Sequence, residues 1–242
     1  MANNYFRFKS FVIHQGHTAM KVCTDACLFG AWVAKLVSGD RPDGGSKIRV
    51  LDIGAGTGLL GLMVRQQLSA TIDLVELEEN AAKQAADNCR ESPWSADLKV
   101  FHQDINKYEP DQPYDLILSN PPFFGNDLQA KHHARNIARH ESTLGLKELF
   151  AAVERLLGED GRFALLLPYH RAEEALREAA IRGLVPAKRV NVSQTPRHDP
   201  FRVMFLFARK GEQEVPHAIT IQDNGHYTAS FVELLRDYYL YL

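Results

Sequence analysis

Cysteine is scarce in this chain, and the spacing of the few cysteines does not suit a cysteine-based site. Only three residues are cysteines, Cys23, Cys27 and Cys89. Their number is odd, no two form a C-x-x-C pair, and no histidine cluster accompanies them, which argues against a disulfide framework and a zinc site. We therefore expect no metal, and we expect the thiols to be small buried side chains in a reducing compartment.

Long apolar runs and an excess of positive charge are also absent. No apolar stretch reaches the ~18 residues that suggest a membrane helix, and residues 1–9 lack the apolar segment of a secretory signal. Lys and Arg number 28 against 30 Asp and Glu, so the formal net charge is −2. We expect a cytoplasmic protein in which any contact with nucleic acid rests on a local basic patch.

The amino-terminal part of the chain predicts a small appendage. Residues 5–13 are rich in aromatic and β-branched residues and predict a short strand or hairpin arm, and Thr24 predicts the start of a helix. Residues 38–47 have the Gly, Asp and Pro content of a loop. We therefore expect residues 1–47 to form an appendage and residues 48–242 to form the main domain.

The main domain predicts seven apolar strands that alternate with helices. The strands fall at residues 48–53, 71–77, 98–102, 114–119, 163–167, 188–192 and 203–207. Near-continuous apolar strands in such an alternation are typical of a parallel sheet with helices on both faces. We therefore predict an α/β fold with a Rossmann-like, mostly parallel, seven-stranded sheet, to which residues 218–221 could add an edge strand.

A glycine-rich loop, Gly54-Ala55-Gly56-Thr57-Gly58, follows the first of these strands. Glycines at the carboxyl end of a strand let the backbone turn tightly and approach a ligand without a Cβ in the way. The second strand delivers Glu76, and an acid there accepts hydrogen bonds from ribose hydroxyls. Because residues 56–61 also match G-x-G-x-x-G, a dinucleotide enzyme and purely structural glycines stay open as alternatives.

Two aspartates favour S-adenosyl-L-methionine as the cofactor. Asp52 lies just before the first glycine, where its carboxylate can reach the methionine ammonium, and this cofactor has no pyrophosphate that would need a helix terminus. Asp104 follows the third strand and is a candidate acceptor for the adenine amine of the cofactor. A turn aspartate is the alternative for Asp104.

The motif Asn120-Pro121-Pro122-Phe123 follows the fourth strand. Adjacent prolines make this loop stiff, so the Asn120 side chain and the Pro121 carbonyl can point at one spot. Two oxygens that hold both N–H groups of a planar amine would favour a tetrahedral nitrogen, which frees its lone pair for attack on the S-methyl group. Phe123 would stack on the acceptor ring. A rigid turn with core aromatics is the alternative.

These motifs together resemble the class I amino-methyltransferases that carry N-P-P-[YF]. The flanking sequence narrows the resemblance to the bacterial tRNA1(Val) adenine-N6-methyltransferase family. The residues that carry it are 19–25, 28–32, 75–78, 92–94, 138–140 and 231–240. The resemblance implies methylation of the adenosine immediately 3′ of the anticodon in a valine tRNA, so the expected partner is a tRNA anticodon loop.

Individual site residues also follow from this resemblance. The cofactor contacts it implies are Lys21, Thr24, Asp25, Asp52, Gly54, Glu76 and Asp104. Gly56 and Gly58 join them as members of the glycine-rich loop, and Asn120 counts as a cofactor contact as well as an acceptor contact. The acceptor contacts are Asn120, Pro121 and Phe123. Since tyrosine is frequent in the family where Phe123 stands, stacking is retained here but a phenolic hydrogen bond is not.

Two basic stretches are candidate RNA contacts, because cations hold the phosphates beside a splayed base. They contain Lys131, Arg135, Arg139 and His140 in the first stretch and Arg197 and Arg202 in the second. The alternative for both is a solvated charged loop. The sequence leaves the oligomeric state open, with a monomer as the default.

Four other functions stay open. A release-factor glutamine methyltransferase shares the chemistry, but about 47 residues before the first strand are fewer than its amino-terminal helical domain has. A guanine-N2 rRNA methyltransferase would also hold an exocyclic amine with this motif. A dinucleotide oxidoreductase would use the glycine loop without the Asn120 motif, and a catalytically silent module would bind cofactor or RNA for another subunit.

Overall fold

The computed structural model describes residues 3–18, 21–39, 47–122, 144–211 and 215–242. It begins with an antiparallel hairpin of β1 (Tyr5–Arg7) and β2 (Val12–His14), followed by helix α1 (Thr24–Gly39). The short strand or hairpin arm predicted from the sequence is therefore a hairpin. Across these ranges, no helix is both long enough and apolar enough to cross a lipid bilayer.

The alternation of strands and helices continues through the rest of the described chain. The elements are β3 (Ile48–Ile53), α2 (Leu59–Gln67), β4 (Ala70–Glu76), α3 (Glu79–Glu91), β5 (Leu98–His102), β6 (Tyr114–Ser119), α4 (Leu146–Leu156), β7 (Leu157–Pro168), α5 (Ala172–Ile181), β8 (Val185–Ser193), β9 (Arg202–Ala208), β10 (His217–Thr220), β11 (Gln222–Asp223), β12 (His226–Tyr227) and α6 (Ala229–Leu235). Strands β11 and β12 form a separate small hairpin.

The described part of the main sheet has eight strands in the order β10-β8-β9-β7-β6-β3-β4-β5. Only β9 runs antiparallel to its neighbours β7 and β8, so the sheet is mostly parallel, as predicted. The predicted count of seven is wrong by one strand, because β10 pairs with β8 at the edge. This strand coincides, within one residue, with residues 218–221, which the sequence indicated as a possible additional edge strand.

Helices cover both faces of the sheet, and the buried strands supply a core to each face. In β3, Val50 and Leu51 are both fully buried, yet they belong to different apolar clusters because successive side chains point to opposite faces. Helices α1 and α2 pack with Val50, whereas α4 and α5 pack with Leu51. The amino-terminal side chains Phe8 and Ile13 belong to the same cluster as Val50.

The carboxyl ends of the parallel strands meet along one edge of the sheet, which we call the carboxyl edge. The segments that follow β3, β4, β5 and β6 all leave the sheet there. Because β9 runs in the opposite direction, its first residue, Arg202, pairs with the last residue of β7, Pro168, and lies at the same edge. Ligands of open α/β sheets bind along this edge, and every candidate site residue on β3 to β6 and β9 is found there.

Candidate active site

The glycine loop, residues 54–58, turns in a backbone conformation that residues with a Cβ rarely adopt. Gly54, Gly56 and Gly58 have φ angles of +71°, +56° and +79°. L-residues with a Cβ rarely adopt such values, so these three positions require glycine for conformation. The Gly54 amide donates a 2.9 Å hydrogen bond to the carbonyl of Val75, which fastens the loop to the end of β4.

The Glu76 carboxylate is bound into the same turn. One oxygen, Oε2, accepts a 2.8 Å hydrogen bond from the Gly56 amide, and the other, Oε1, accepts a 2.9 Å hydrogen bond from the Glu78 amide. Carboxylate oxygens have two lone pairs each, so both can still accept from another donor such as a ribose hydroxyl. The sequence did not predict that Glu76 also supports the glycine loop.

Asp52 is a fully buried carboxylate with one unsatisfied oxygen. Its Oδ2 accepts a 3.1 Å hydrogen bond from the Gly61 amide, whereas Oδ1 has no partner in the described part of the chain. Burial raises the pKa of Asp52 to about 7, the Gly61 hydrogen bond lowers it, and the charge of Glu76 raises it further. A buried, unpaired carboxylate oxygen is costly, and an ammonium group such as that of S-adenosylmethionine would relieve the cost.

Asn120 lies beside the glycine loop because β3 and β6 are adjacent and in register. Ile53, the last residue of β3, faces Ser119, the last residue of β6, so the next residues of the two strands are Gly54 and Asn120. Asn120 is partly buried, and its Oδ1 has no hydrogen-bond partner among the described residues. An unsatisfied amide oxygen is thus available to accept from an N–H group, and the buried Pro121 follows it.

Asp104 lies at the carboxyl edge after β5, where its side chain caps a short turn. Its Oδ1 accepts from the backbone amide of Asn106 at 2.9 Å and from the side-chain amide of the same residue at 3.0 Å. This is the geometry of the turn aspartate considered as the alternative. One carboxylate oxygen can serve the turn while the other meets a ligand, so both roles remain compatible with the contacts.

The amino-terminal candidates contact protein groups in different ways. The Lys21 ammonium donates to the carbonyl of Gln15, and Thr24 is the exposed first residue of α1. Asp25 Oδ2 instead accepts a 2.7 Å hydrogen bond from Arg202 Nε, with the two side chains 10% and 24% exposed. The sequence assigned Asp25 to the cofactor and Arg202 to RNA, whereas the structure joins them in an ion pair.

The remaining RNA candidates divide between exposed and undescribed positions. Arg197 is exposed near the tip of a turn closed by the His198 amide, which donates to the Thr195 carbonyl at 3.1 Å. The candidates that lie outside the described residues are Phe123, Lys131, Arg135, Arg139 and His140. Within the described ranges, no group of three or more His, Cys, Asp or Glu side chains could hold a metal ion.

Two residues at this site were not predicted from the sequence. Leu77 follows Glu76 and is 50% exposed, so a large apolar side chain lies at the carboxyl edge with half its surface uncovered. Its position directly after the acid of strand two is a signal that could have been used. Asn88 on α3 donates to the carbonyl of Thr57 in the glycine loop, and no sequence signal separates it from the solvated polar residues of an amphipathic helix.

The arrangement matches known methyltransferases in sequence and in fold. The sequence profile of the methyltransferase small domain family matches residues 41–180. Proteins named tRNA1(Val) (adenine(37)-N6)-methyltransferase are 37% identical in Dyadobacter fermentans, over 98% of this chain and 98% of that protein, and 40% identical in Cytophaga hutchinsonii, over 100% of both. The solved structure of a predicted O-methyltransferase from Agrobacterium tumefaciens shares the fold with a TM-score of 0.66 at 19% identity, covering 88% of this chain and 96% of that one.

Proposed function

Because the chain belongs to the methyltransferase small domain family and to the tRNA1(Val) (adenine(37)-N6)-methyltransferases, we propose that it methylates the N6 amine of an adenosine in tRNA. The methyl donor is S-adenosyl-L-methionine. The acceptor is the adenosine 3′ of the anticodon in tRNA1(Val), reached in the anticodon loop. The protein acts on it as a monomer in the cytoplasm.

The observation that supports this chemistry most strongly is the pair of unsatisfied oxygens at the carboxyl edge. Asp52 Oδ1 and Asn120 Oδ1 are both buried without a partner among the described residues, and they lie at the carboxyl ends of two adjacent strands. The first is an anionic acceptor suited to the cofactor ammonium, and the second is a neutral acceptor suited to an amine N–H. A site for one charged and one neutral donor is what transfer between this cofactor and an aromatic amine needs.

The catalytic role falls to Asn120 and the Pro121 carbonyl. When bound, the cofactor supplies a methyl group on a positively charged sulfur. The two oxygens accept hydrogen bonds from the two N–H groups of the acceptor, and these bonds strengthen as positive charge develops on nitrogen. No protein base is required, because the methylated amine is acidic enough to release its proton to water afterwards.

Other residues bind and orient the two substrates. With the cofactor bound, Glu76 would accept hydrogen bonds from the ribose hydroxyls, Asp104 would accept one from the adenine amine, and Leu77 would cover a face of the adenine. Phe123 stacks on the acceptor base, which contributes about 1–3 kcal/mol in comparable stacks. Arg197, exposed near the tip of its turn, neutralises a phosphate beside the splayed nucleotide.

The acceptor class is tested with cofactor labelled in its methyl group. The protein is incubated separately with total bacterial tRNA, total rRNA and purified release factors, and incorporated label is counted. We expect label in tRNA alone. Label in release factor or rRNA but not in tRNA contradicts the proposal, and calorimetric binding of NAD in place of S-adenosylmethionine would contradict its cofactor.

A further inference from the structure

We propose that Asn88, a buried asparagine of α3, is a positioning residue for the cofactor. It joins the glycine loop to the amino-terminal segment that carries Lys21, Thr24 and Asp25. The inference rests on the cofactor part of the proposed function and is independent of the acceptor. The cofactor site is then built from two segments, the glycine loop and the amino-terminal segment, and Asn88 holds them in one arrangement.

The geometry around Asn88 uses every hydrogen-bonding group of its amide. Asn88 is 1% exposed. Its Nδ2 donates to the carbonyls of Thr57 and His14, each at 2.9 Å, and its Oδ1 accepts from the His14 amide at 2.9 Å. The side chain therefore bonds to the backbone of β2 as a neighbouring strand would, while its second N–H holds the glycine loop.

A second buried amide carries the connection forward to the start of α1. Gln15, the residue after His14, is 5% exposed. Its Oε1 accepts a 2.7 Å hydrogen bond from the Val22 amide, and its backbone carbonyl accepts from the Lys21 ammonium. The path from the glycine loop to Lys21 thus runs through the Asn88 side chain, the His14 backbone and Gln15.

Helix α3 also packs against the residue of the glycine loop that follows Thr57. Gly58 packs against α3 closely enough that an added Cβ would lie 3.6 Å from Ala85 and 3.6 Å from Cys89. Asn88 lies on the same helix, so α3 holds Thr57 by a hydrogen bond and Gly58 by packing. The Asn88 side chain therefore connects the amino-terminal segment directly to the glycine loop.

Residue chemistry explains why asparagine is required. An aspartate could still accept from the His14 amide, but its second oxygen would face two carbonyls and repel both. An alanine leaves the two carbonyls and the His14 amide unsatisfied. Asn88→Ala removes three buried hydrogen bonds, one to the glycine loop and two to His14. We expect their loss to weaken cofactor binding roughly tenfold.

The experiment measures binding of S-adenosylhomocysteine by calorimetry in the absence of RNA. Wild type is compared with Asn88→Ala, Asn88→Asp and the control Gln84→Ala. Gln84 lies on the same helix and is 6% exposed, and it accepts only a 3.4 Å hydrogen bond from the His17 amide. We expect Kd to rise about tenfold for Asn88→Ala, further for Asn88→Asp, and less than about twofold for Gln84→Ala.

Hydrogen exchange measures which segments the ligand protects, and a loss of stability alone would not change that pattern. In wild type, S-adenosylhomocysteine should slow exchange in residues 12–18 and in residues 54–62 together. In Asn88→Ala at saturating ligand, protection should remain in residues 54–62 and disappear from residues 12–18. If the alanine variant melts below the assay temperature, Asn88→Ser is measured instead, with the same split expected.

Three results would overturn the inference. They are a Kd for Asn88→Ala within about twofold of wild type, an equal loss in Gln84→Ala, or ligand protection of residues 12–18 that is the same in wild type and variant. Because RNA is absent from every measurement, failure of the tRNA assignment leaves these outcomes unchanged.

Discussion

Ser119 donates a 3.0 Å hydrogen bond from its side chain to the carbonyl of Ile53, the residue that faces it in the adjacent parallel strand. Both residues are essentially inaccessible to water, so the bond is not weakened by solvent. It joins the two strand ends from which the glycine loop and Asn120 emerge. The glycine loop and Asn120 are therefore brought together by a strand pair and not by a flexible connection.

Replacement of the Asn120 side chain tests catalysis separately from cofactor binding. We expect Asn120→Ala to lower kcat by about 10²–10³-fold, as loss of one transition-state hydrogen bond does elsewhere. Calorimetric affinity for S-adenosylmethionine should stay near that of wild type. The exposed Asn80→Ala is the matched control and should leave kcat unchanged. A collapse of cofactor affinity in Asn120→Ala would show that this role is wrong.

Glu76 should show the opposite kinetic pattern. In Glu76→Gln one oxygen becomes an NH2 group that faces a backbone N–H, so either the Gly56 contact or the Glu78 contact is lost. We expect KM for the cofactor to rise about tenfold or more while kcat at saturation changes little. Steady-state kinetics at varied cofactor concentration measures both. A fall in kcat with unchanged KM contradicts the assignment.

Asp52 should give the ligand-free protein a pH dependence that the cofactor reverses. Because burial raises its pKa from 3.8 to about 7, the folded chain retains a proton that the unfolded chain releases. Stability from this group is therefore present at low pH and lost as the pH rises through about 7. The difference in melting temperature between wild type and Asp52→Asn, measured without ligand from pH 5 to 8, should shift against wild type up to about pH 7 and then level off.

Cofactor affinity should change in the other direction with pH. The ammonium group favours the ionised carboxylate, so wild-type affinity should increase as the pH rises through about 7. Asp52→Asn should bind about ten- to hundredfold more weakly at pH 8, by loss of a charge-assisted hydrogen bond, and this part of the pH dependence should vanish. Calorimetry with S-adenosylhomocysteine at several pH values measures both effects. Equal pH profiles for the two proteins would contradict the account.

Glycine is needed at position 58 for its backbone conformation. Gly58→Ala should destabilise the protein by about 1–2 kcal/mol, because φ there is +79° and the new Cβ also meets Leu74 at 3.4 Å. Gly39→Ala is the control, since φ at Gly39 is not in the left-handed region and an added Cβ meets nothing within 4 Å. Urea unfolding should show a loss for the first variant only.

The two arginines predicted from the sequence as RNA contacts should differ in their effects on RNA binding and on protein stability. Arg197→Ala should raise KM for tRNA and reduce the salt slope of RNA binding by about one, with stability unchanged. Arg202→Ala should destabilise the protein by about 1–3 kcal/mol, because it strands the buried Asp25 carboxylate. A loss of RNA affinity in Arg202→Ala without loss of stability would contradict the structural role given to that ion pair.

The sheet and the glycine loop were predictable because their signals are local. The apolar run of β3, the glycines that need positive φ, and the acid at the end of β4 are each visible within a few residues. The parallel arrangement of the neighbouring strands β3 and β6 then brings Asn120 beside the loop, since the carboxyl ends of parallel strands lie at the same edge of the sheet. Residues 218–221 could be indicated only as a possible edge strand, because an edge strand such as β10 buries little and has no clear periodicity.

Side-chain partners that are far apart in the sequence could not be predicted from such local signals. Asp25 and Arg202 are 177 positions apart, and Asn88 and His14 are 74 apart, so only folding brings each pair together. A carboxylate near a candidate cofactor loop looks the same in sequence whether it faces a ligand or an arginine. The role of Glu76 in holding the glycine loop was missed for the same reason.

The most direct test identifies the methylated nucleoside and its position. tRNA from cells that lack this activity is incubated with the protein and methyl-labelled S-adenosylmethionine, purified as tRNA1(Val), and digested for mass spectrometry of nucleosides and of the anticodon-loop fragment. The account predicts label in N6-methyladenosine, in the fragment that contains the residue 3′ of the anticodon. Label in a methylated guanosine, or in another part of the tRNA, would contradict it.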